Sequence, residues 1–403
     1  MGLFGRYRHS GVSKALAAAA FISLVPNTHA AFPVIGYWAN WGGDISGIQF
    51  QYMTHLLYSF AGVDASGNIS VNDAQVKQLV TLGHAKGTKI GLAMGGGGGD
   101  KGFQTIINST AAIDLFVKNA AAICDKYDLD GLDMDWEYPN SAQAVNFESM
   151  MKKLGDAMHA KDRFMSIAVI GGDPSRGKDI HNGVFDAVDF VNIMAYDNGG
   201  ANHSPYDLAV LCYDYWLNQH KCPKAKAILG LPFYGYDPSG KYMGYRDIVA
   251  RDATAPQKDF SNNFGYNGIP TIQKKTQLAY DRGGGVMIWE ISMDVHDGNS
   301  LLKAINDKSK AFNVSVRESV HNGNENPLLA VSPNRITFRA PAAGQYLLRI
   351  QSLSGGRVSE SRVSAQASGE TVLDWSTPGL ASGAYAATLE GKGISASRPF
   401  VLR

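Results

Sequence analysis

From residue 32 to residue 312 the chain alternates short, uniformly apolar runs with longer runs of helical periodicity. The short runs fall at 33–39, 53–61, 88–94, 129–136, 164–170, 188–195, 227–233 and 286–291, with helical patterns at 72–86, 112–126, 142–161 and 271–280 among them. Strands that are apolar throughout and separated by helices suit a parallel sheet buried on both faces. Eight such units predict an α/β chain whose residues 31–312 close into a (β/α)8 TIM barrel. An open doubly wound sheet is the competing architecture. The barrel is preferred because chemically useful residues gather at the C-terminal ends of several different strands.

The pattern changes at both ends. Arg6, Arg8 and Lys14 precede an apolar run at 15–25 that breaks at Pro26 and ends in Thr28-His29-Ala30. Residues 1–30 therefore read as a secretory signal, cut after Ala30. A run of about eleven apolar residues is too short to span a bilayer, and no later run approaches the ~20 residues a spanning helix needs. A soluble, secreted and extracellular protein is expected. Residues 313–327 are polar, contain Asn322-Gly323-Asn324-Glu325-Asn326, and read as a linker. Beyond them, short alternating runs at 335–339, 345–350, 371–375, 385–389 and 400–402 predict a small all-β immunoglobulin-like sandwich over 328–403. Eight Lys/Arg against four Asp/Glu from residue 326 onward give this part a basic excess.

Composition excludes several classes. With 45% hydrophobic and 18% charged residues the chain is globular. A net charge of +1 leaves no bias for holding a nucleic acid or an acidic membrane. Three cysteines make no disulfide scaffold. A Cys212–Cys222 bridge is left open, and Cys124 in its apolar run is assigned to the core.

The segment richest in chemistry is Asp130-Gly-Leu-Asp133-Met-Asp135-Trp-Glu137-Tyr138-Pro139. Residues two apart on a strand share a face. Asp133, Asp135 and Glu137 therefore project together, opposite Leu132, Met134 and Trp136. Repulsion and burial raise carboxyl pKa values, which keeps at least one group protonated near neutrality. Such a row suits either a Mg²⁺ or Ca²⁺ site or proton donation to a leaving group. The other strand ends supply Tyr37-Trp38, Phe60, Tyr196-Asp197, Phe233-Tyr234 and Trp289 rather than further metal ligands. Aromatic walls around one acid row favour a neutral, flat-faced ligand such as a sugar ring, with no metal and no cofactor.

The Asp130-x-x-Asp133-x-Asp135-x-Glu137 row resembles the signature of glycoside hydrolase family 18 chitinases. Val34-Ile-Gly-Tyr37-Trp38, Leu56-Leu-Tyr-Ser-Phe60-Ala61, Met194-Ala-Tyr196-Asp197, Leu229-Gly-Leu-Pro-Phe-Tyr234-Gly235 and Trp289 resemble further family strands in family order. The resemblance implies a retaining hydrolase of β-1,4-linked N-acetylglucosamine. In that mechanism the substrate's own acetamido oxygen attacks the anomeric carbon and forms an oxazolinium ion. By resemblance Glu137 is the acid, Asp135 accepts the acetamido N–H, Asp133 shares a proton with Asp135, and Tyr196 aligns the acetamido oxygen. Tyr37, Phe60, Gly95, Gly96, Met194, Asp197, Tyr234 and Trp289 are the expected substrate-binding residues, Trp289 as the floor. Chitin and its oligomers are the implied partners, and a monomer is expected. Asp130 is expected to play a structural part at the start of its strand. One departure stands out: the family's third strand commonly ends Ser-x-Gly-Gly, and Ala93-Met94-Gly95-Gly96 takes its place here. Losing that hydroxyl predicts an altered pH profile with a flatter acid limb.

Two rival activities fit parts of the pattern: an endo-β-N-acetylglucosaminidase acting on glycoprotein glycans, and a chitin-binding lectin. Trp136-Glu137-Tyr138-Pro139 favours the chitinase over the first, and the presence of Glu137 disfavours the second. The Gly97-x-Gly99-x-x-Gly102 run matches a dinucleotide loop, but a five-glycine run makes that match nearly automatic. A loop permitting close ligand approach is the preferred reading. Trp41 and Trp216 are each either sugar platforms or core. About 50 residues separate the seventh and eighth strands. They must also hold a barrel helix, so a full α+β insertion is not expected, and an open groove with cleavage inside chains follows. The C-terminal part weakly resembles sorting modules of secreted bacterial enzymes, with an attachment, accessory or carbohydrate-binding role as the alternatives.

Overall fold

The computed structural model describes residues 32–314, 328–332, 335–339, 343–352, 357–365, 370–374, 383–391 and 394–402. The secretory-signal reading and most of the 313–327 linker lie outside the described residues.

Eight parallel strands form the barrel: β1 (Val34–Ala39), β2 (His55–Val63), β3 (Lys89–Gly95), β4 (Gly131–Asp135), β5 (Phe164–Ile170), β6 (Phe190–Met194), β7 (Ala227–Pro232) and β8 (Gly285–Trp289). Each pairs with its neighbour in sequence, and β1 closes the ring on β8 through Val34↔Val286 and on β2 through Ile35↔His55. Closure excludes the open sheet.

Burial on both faces follows from this geometry. Outward residues such as Leu132, Met134 and Trp136 pack in the large core beneath the helices. Inward residues Ile35, Tyr37, Leu57, Ala93, Phe164, Ile228 and Met287 fill the lumen. The covering helices Asp73–His84, Thr110–Tyr127, Ala144–His159 and Ile269–Arg282 occupy the expected positions, and a fifth, not anticipated, spans Leu301–Val314. Asn72 and Ser109 cap the first two, accepting the amides of Gln75 and Ala112. The last helix runs to Val314, so residues 313 and 314 belong to it rather than to a linker.

Between β7 and β8 the chain holds more than a barrel helix. Strands Tyr242–Gly244, Tyr234–Tyr236, Phe264–Gly265 and Phe260–Ser261 form a small antiparallel sheet in that order, with a helix at Tyr245–Arg251. Strands of two or three residues are too short to leave a period in the sequence. Cys124, Cys212 and Cys222 are free and buried, which settles the pairing question against a bridge.

The C-terminal strands form two antiparallel sheets. One orders Leu328–Ser332, Arg335–Arg339 and Glu370–Asp374. The other orders Arg357–Ala365, Gly344–Ser352, Gly383–Gly391 and Ile394–Leu402. Tyr346, Leu348 and Ile350 alternate inward along one strand, as do Tyr385, Ala387 and Leu389 along another. Between the inward positions, Arg349 bridges to Glu360 and Glu390 on the flanking strands.

Candidate active site

The acid row rises along β4 from the lumen to its mouth. Asp133 is fully buried (0% exposed) and Asp135 nearly so (4%). Asp133 collects three donors: the Tyr37 hydroxyl at 2.8 Å on Oδ2, and the Ser166 hydroxyl at 2.6 Å and Asn192 Nδ2 at 3.1 Å on Oδ1. Asn192 Nδ2 also donates to the Tyr37 hydroxyl oxygen at 3.1 Å, which ties the set together. Asp135 is different: among the described residues its Oδ1 has no hydrogen-bond partner. Glu137, half-buried, stands beyond the end of β4.

Burial raises all three carboxyl groups, and their other surroundings rank them. Asp133 is pushed up to about 6 because desolvation outweighs its donors. Asp135 is driven well above the usual carboxylate range by desolvation, then by the charges of Glu137 and Asp133. Glu137 is raised chiefly by desolvation, opposed by the Tyr138 hydroxyl and the Arg176 cation. Donors favour an ionised carboxylate and their absence a neutral one. Of the two buried members, Asp133 with its donors is thus the better suited to carry charge and Asp135 the better suited to hold a proton, a property of the set rather than of one residue.

The strand ends surround this row. Trp289, at the end of β8, stacks on Phe60 with centroids 5.4 Å apart and meets the Tyr37 ring edge-on at 5.8 Å. Tyr196 is half-buried, and its hydroxyl lies 3.8 Å from the Met287 sulfur. Asp197 takes the left-handed conformation at φ +60° and accepts the Tyr234 hydroxyl at 2.7 Å. Beneath it His203 is buried, with Nδ1 3.4 Å from Asp197 Oδ1. Non-proline cis peptides join Ser59 to Phe60, Glu137 to Tyr138 and Trp289 to Glu290.

Several expected ligand-binding residues also make contacts within the protein. Tyr37 is 2% exposed with its hydroxyl given to Asp133, and Tyr234 is 1% exposed with its hydroxyl given to Asp197. Met194 is half-buried against the lumen cluster. Gly95 and Gly96 have positive φ, and Gly96 donates its N–H to the Asp135 carbonyl. A methyl group at Gly95 would lie 2.2 Å from the Asp135 carbonyl oxygen, and one at Gly96 2.4 Å from the Phe60 ring. These glycines bring the third strand close to the acid row. The loop continues past Glu137: a methyl group at Gly97 would sit 3.9 Å from Oε1. Phe60, Tyr196, Asp197 and Trp289 keep some exposure, and Asp197 and Tyr196 lie close enough to Glu137 to interact with its charge.

Ser166 and Asn192 were not anticipated. Their signal was available: each is a polar residue at inward parity inside an otherwise apolar strand, and such a residue needs a partner. Arg176, whose guanidinium lies 5.7 Å from the Tyr138 ring centroid, was also missed. Asp130 caps the base of its strand, accepting the Ile90 amide at 2.7 Å and facing His84 Nε2 at 2.8 Å. The two tryptophans separate: Trp216 is buried and donates to the Gly171 carbonyl at 2.7 Å, whereas Trp41 is 66% exposed. The glycine run serves packing, since a methyl group at Gly99 would meet the Gly95 carbonyl oxygen at 2.1 Å. Among the described residues no group of three or more His, Cys, Asp or Glu is arranged to hold a metal ion, and no helix is long and apolar enough to cross a membrane.

The family described as glycosyl hydrolases family 18 matches residues 33–294, which is the barrel up to the turn after β8. Chitinase 1 of Aphanocladium album is 29% identical over 66% of this chain and 82% of the relative. Human Chitinase-3-like protein 2 is 22% identical over 71% of this chain and 93% of the relative. Among solved structures, the GH18 chitinase ChiB from the chitin utilization locus of Flavobacterium johnsoniae is 27% identical, with a TM-score of 0.65 over 70% of this chain and 95% of that one. A closed parallel barrel with an acid row on its fourth strand thus agrees with a family match covering most of the chain, and the protein belongs to glycosyl hydrolase family 18.

Proposed function

We propose that this protein is a chitinase that hydrolyses β-1,4 bonds between N-acetylglucosamine units with retention, using the substrate's acetamido group as nucleophile. One observation carries the reading: Glu137 stands half-exposed at the mouth, with Asp135 and Asp133 buried behind it on the same face of β4. A carboxyl group raised by burial is suited to give a proton to a leaving oxygen. Glu137 protonates the glycosidic oxygen as the acetamido oxygen attacks the anomeric carbon and the glycosidic bond breaks. Asp135 then accepts the acetamido N–H with its unpartnered Oδ1 and stabilises the positive charge of the oxazolinium ion. Asp133, deeper and held by its three donors, takes up proton density from Asp135. Tyr196 aligns the acetamido oxygen, and Trp289 stacked on Phe60 forms the floor. Water opens the ion at the anomeric carbon while Glu137 takes its proton.

The N-terminal pattern supports export, and the C-terminal sheets support an immunoglobulin-like sandwich over 328–403 with a sorting or attachment role. A monomer is the working expectation. Cleavage within chains stays part of this proposal, although the strands and helix found between β7 and β8 run against the absence of an insertion from which an open groove was expected. Dimer release from chain ends as the main product from long soluble oligomers would contradict that part.

Product analysis on N-acetylated oligomers of defined length, with Glu137→Gln beside the wild type, tests the whole. Wild-type cleavage at β-1,4 bonds is expected. The variant should bind oligomers and cleave them about 10³-fold more slowly. Retained turnover in the variant would contradict the assignment.

A further inference from the structure

The family-like third strand lacks its hydroxyl at Ala93, yet Asp133 still receives one. In the barrel Ala93 of β3 lies in register with Asp133 on one side, and Ser166 of β5 lies in register with it on the other. Ala93 packs in the lumen cluster, so its methyl group faces the interior. The Ser166 hydroxyl, also inward and fully buried, reaches Asp133 Oδ1 at 2.6 Å. We propose that Ser166 is a positioning residue for the acid row, supplying from β5 the hydroxyl contact to Asp133 that β3 does not offer at Ala93.

This inference rests on the chitinase reading of the same site. The contact does two things there. It holds one carboxylate oxygen while Tyr37 holds the other, which fixes the plane of Asp133 beneath Asp135. As a donor it also favours the charged form of Asp133, so the proton the pair shares stays on the outer member until substrate arrives. The titratable groups facing Asp133 are Tyr37 from β1 and Asp135 on its own strand, with Tyr196 and Glu137 beyond Asp135. Leu57, Ala93, Ile228 and Met287, the lumen-cluster residues of β2, β3, β7 and β8, carry no charge, and His55 at the start of β2, packed on Phe164 and Phe190, has its pKa lowered to about 4 by burial.

The test is kcat/KM against pH on N-acetylglucosamine oligomers for four proteins: wild type, Ser166→Ala, Ser166→Thr, and Ala93→Ser combined with Ser166→Ala. Losing one donor to a charged acceptor should move the acid limb of Ser166→Ala upward by roughly one pH unit. Ser166→Thr keeps the hydroxyl and should keep the wild-type limb. The double variant, with its hydroxyl returned to β3, should recover most of the shift. If Ser166→Ala does not fold, Ser166→Val against Ser166→Thr repeats the comparison at matched shape. An equal loss of rate at every pH with an unmoved acid limb, or a double variant no nearer the wild type than the single, would overturn this inference alone. A wild type inert on these oligomers would overturn the chitinase reading and this inference with it.

Discussion

Two buried carboxylates, Asp135 in the lumen and Asp294 in the turn after β8, are almost equally shielded from water (4% and 1% exposed) but are met very differently by the protein. Asp294 receives the amides of Val295, Leu301 and Leu302, each at 2.9 Å, and the Ser300 hydroxyl at 2.8 Å. Two of those amides open the helix Leu301–Val314, so Asp294 is a structural cap. Asp135 has an oxygen with no donor among the described residues. Both carboxyl groups are raised by burial, Asp294 to about 6 and Asp135 well above its usual range. Burial alone therefore does not mark a functional acid. What sets Asp135 apart is a carboxylate oxygen left unmet inside the acid row, because a buried polar atom without a partner is costly to keep.

Asp133 sits between these cases. It has three donors and a pKa near 6, yet its fourth neighbour is the unmet Asp135. This gradation from cap to support to reactive group orders the expected effects of substitution.

The largest effect belongs to the group at the mouth. Glu137→Gln should lose activity as described and leave thermal unfolding unchanged; a large fall in Tm would place Glu137 among the caps. Next comes Asp294→Ala, which strands four donors and should cost about 3 kcal/mol of stability, read as a lower denaturant midpoint, with kcat preserved at a temperature where the variant is folded. Asp135→Asn should do the reverse, abolishing most turnover while holding or raising Tm.

A smaller effect concerns pH. A carboxyl group whose folded pKa lies above its unfolded value binds more protons when folded, so stability falls as pH rises from the unfolded pKa through the folded one. Asp135 therefore penalises the folded state at pH 7 and hardly at all near pH 4. The Tm difference between Asp135→Asn and wild type should widen from pH 4 to pH 7, and a constant difference would refute the ranking. The smallest effect is expected at Asp130, half-exposed at the foot of β4 and already paired with Ile90 and His84. Asp130→Asn should cost about 1 kcal/mol and leave the pH profile of activity where it was.

The β4 acid row was legible because strand parity is rigid: Asp133 and Asp135 must leave the face occupied by Leu132 and Met134. The eight strands were legible because burial on both faces writes a continuous apolar run. What escaped did so for physical reasons. Ser166 and Asn192 are single polar residues inside such runs, and only their partners across the lumen explain them. Sequence identifies the rings of Tyr37 and Tyr234 without saying that their hydroxyls bond Asp133 and Asp197. The strand Arg357–Ala365 reads as polar because four successive residues, Ser359 to Arg362, face solvent, and among its described side chains Val363 and Ala365 alone form a buried alternation. Trp41 and Trp216 look alike in sequence and differ only in what packs over them.

The most direct test follows the anomeric form of the first product by NMR, on an N-acetylglucosamine oligomer and on its deacetylated counterpart. Early release of the β-anomer from the acetylated chain, with the deacetylated chain left intact, is the expected result. Early α-anomer, or equal cleavage of both chains, would mean that the acetamido group is not the nucleophile and that the acid row works in some other way.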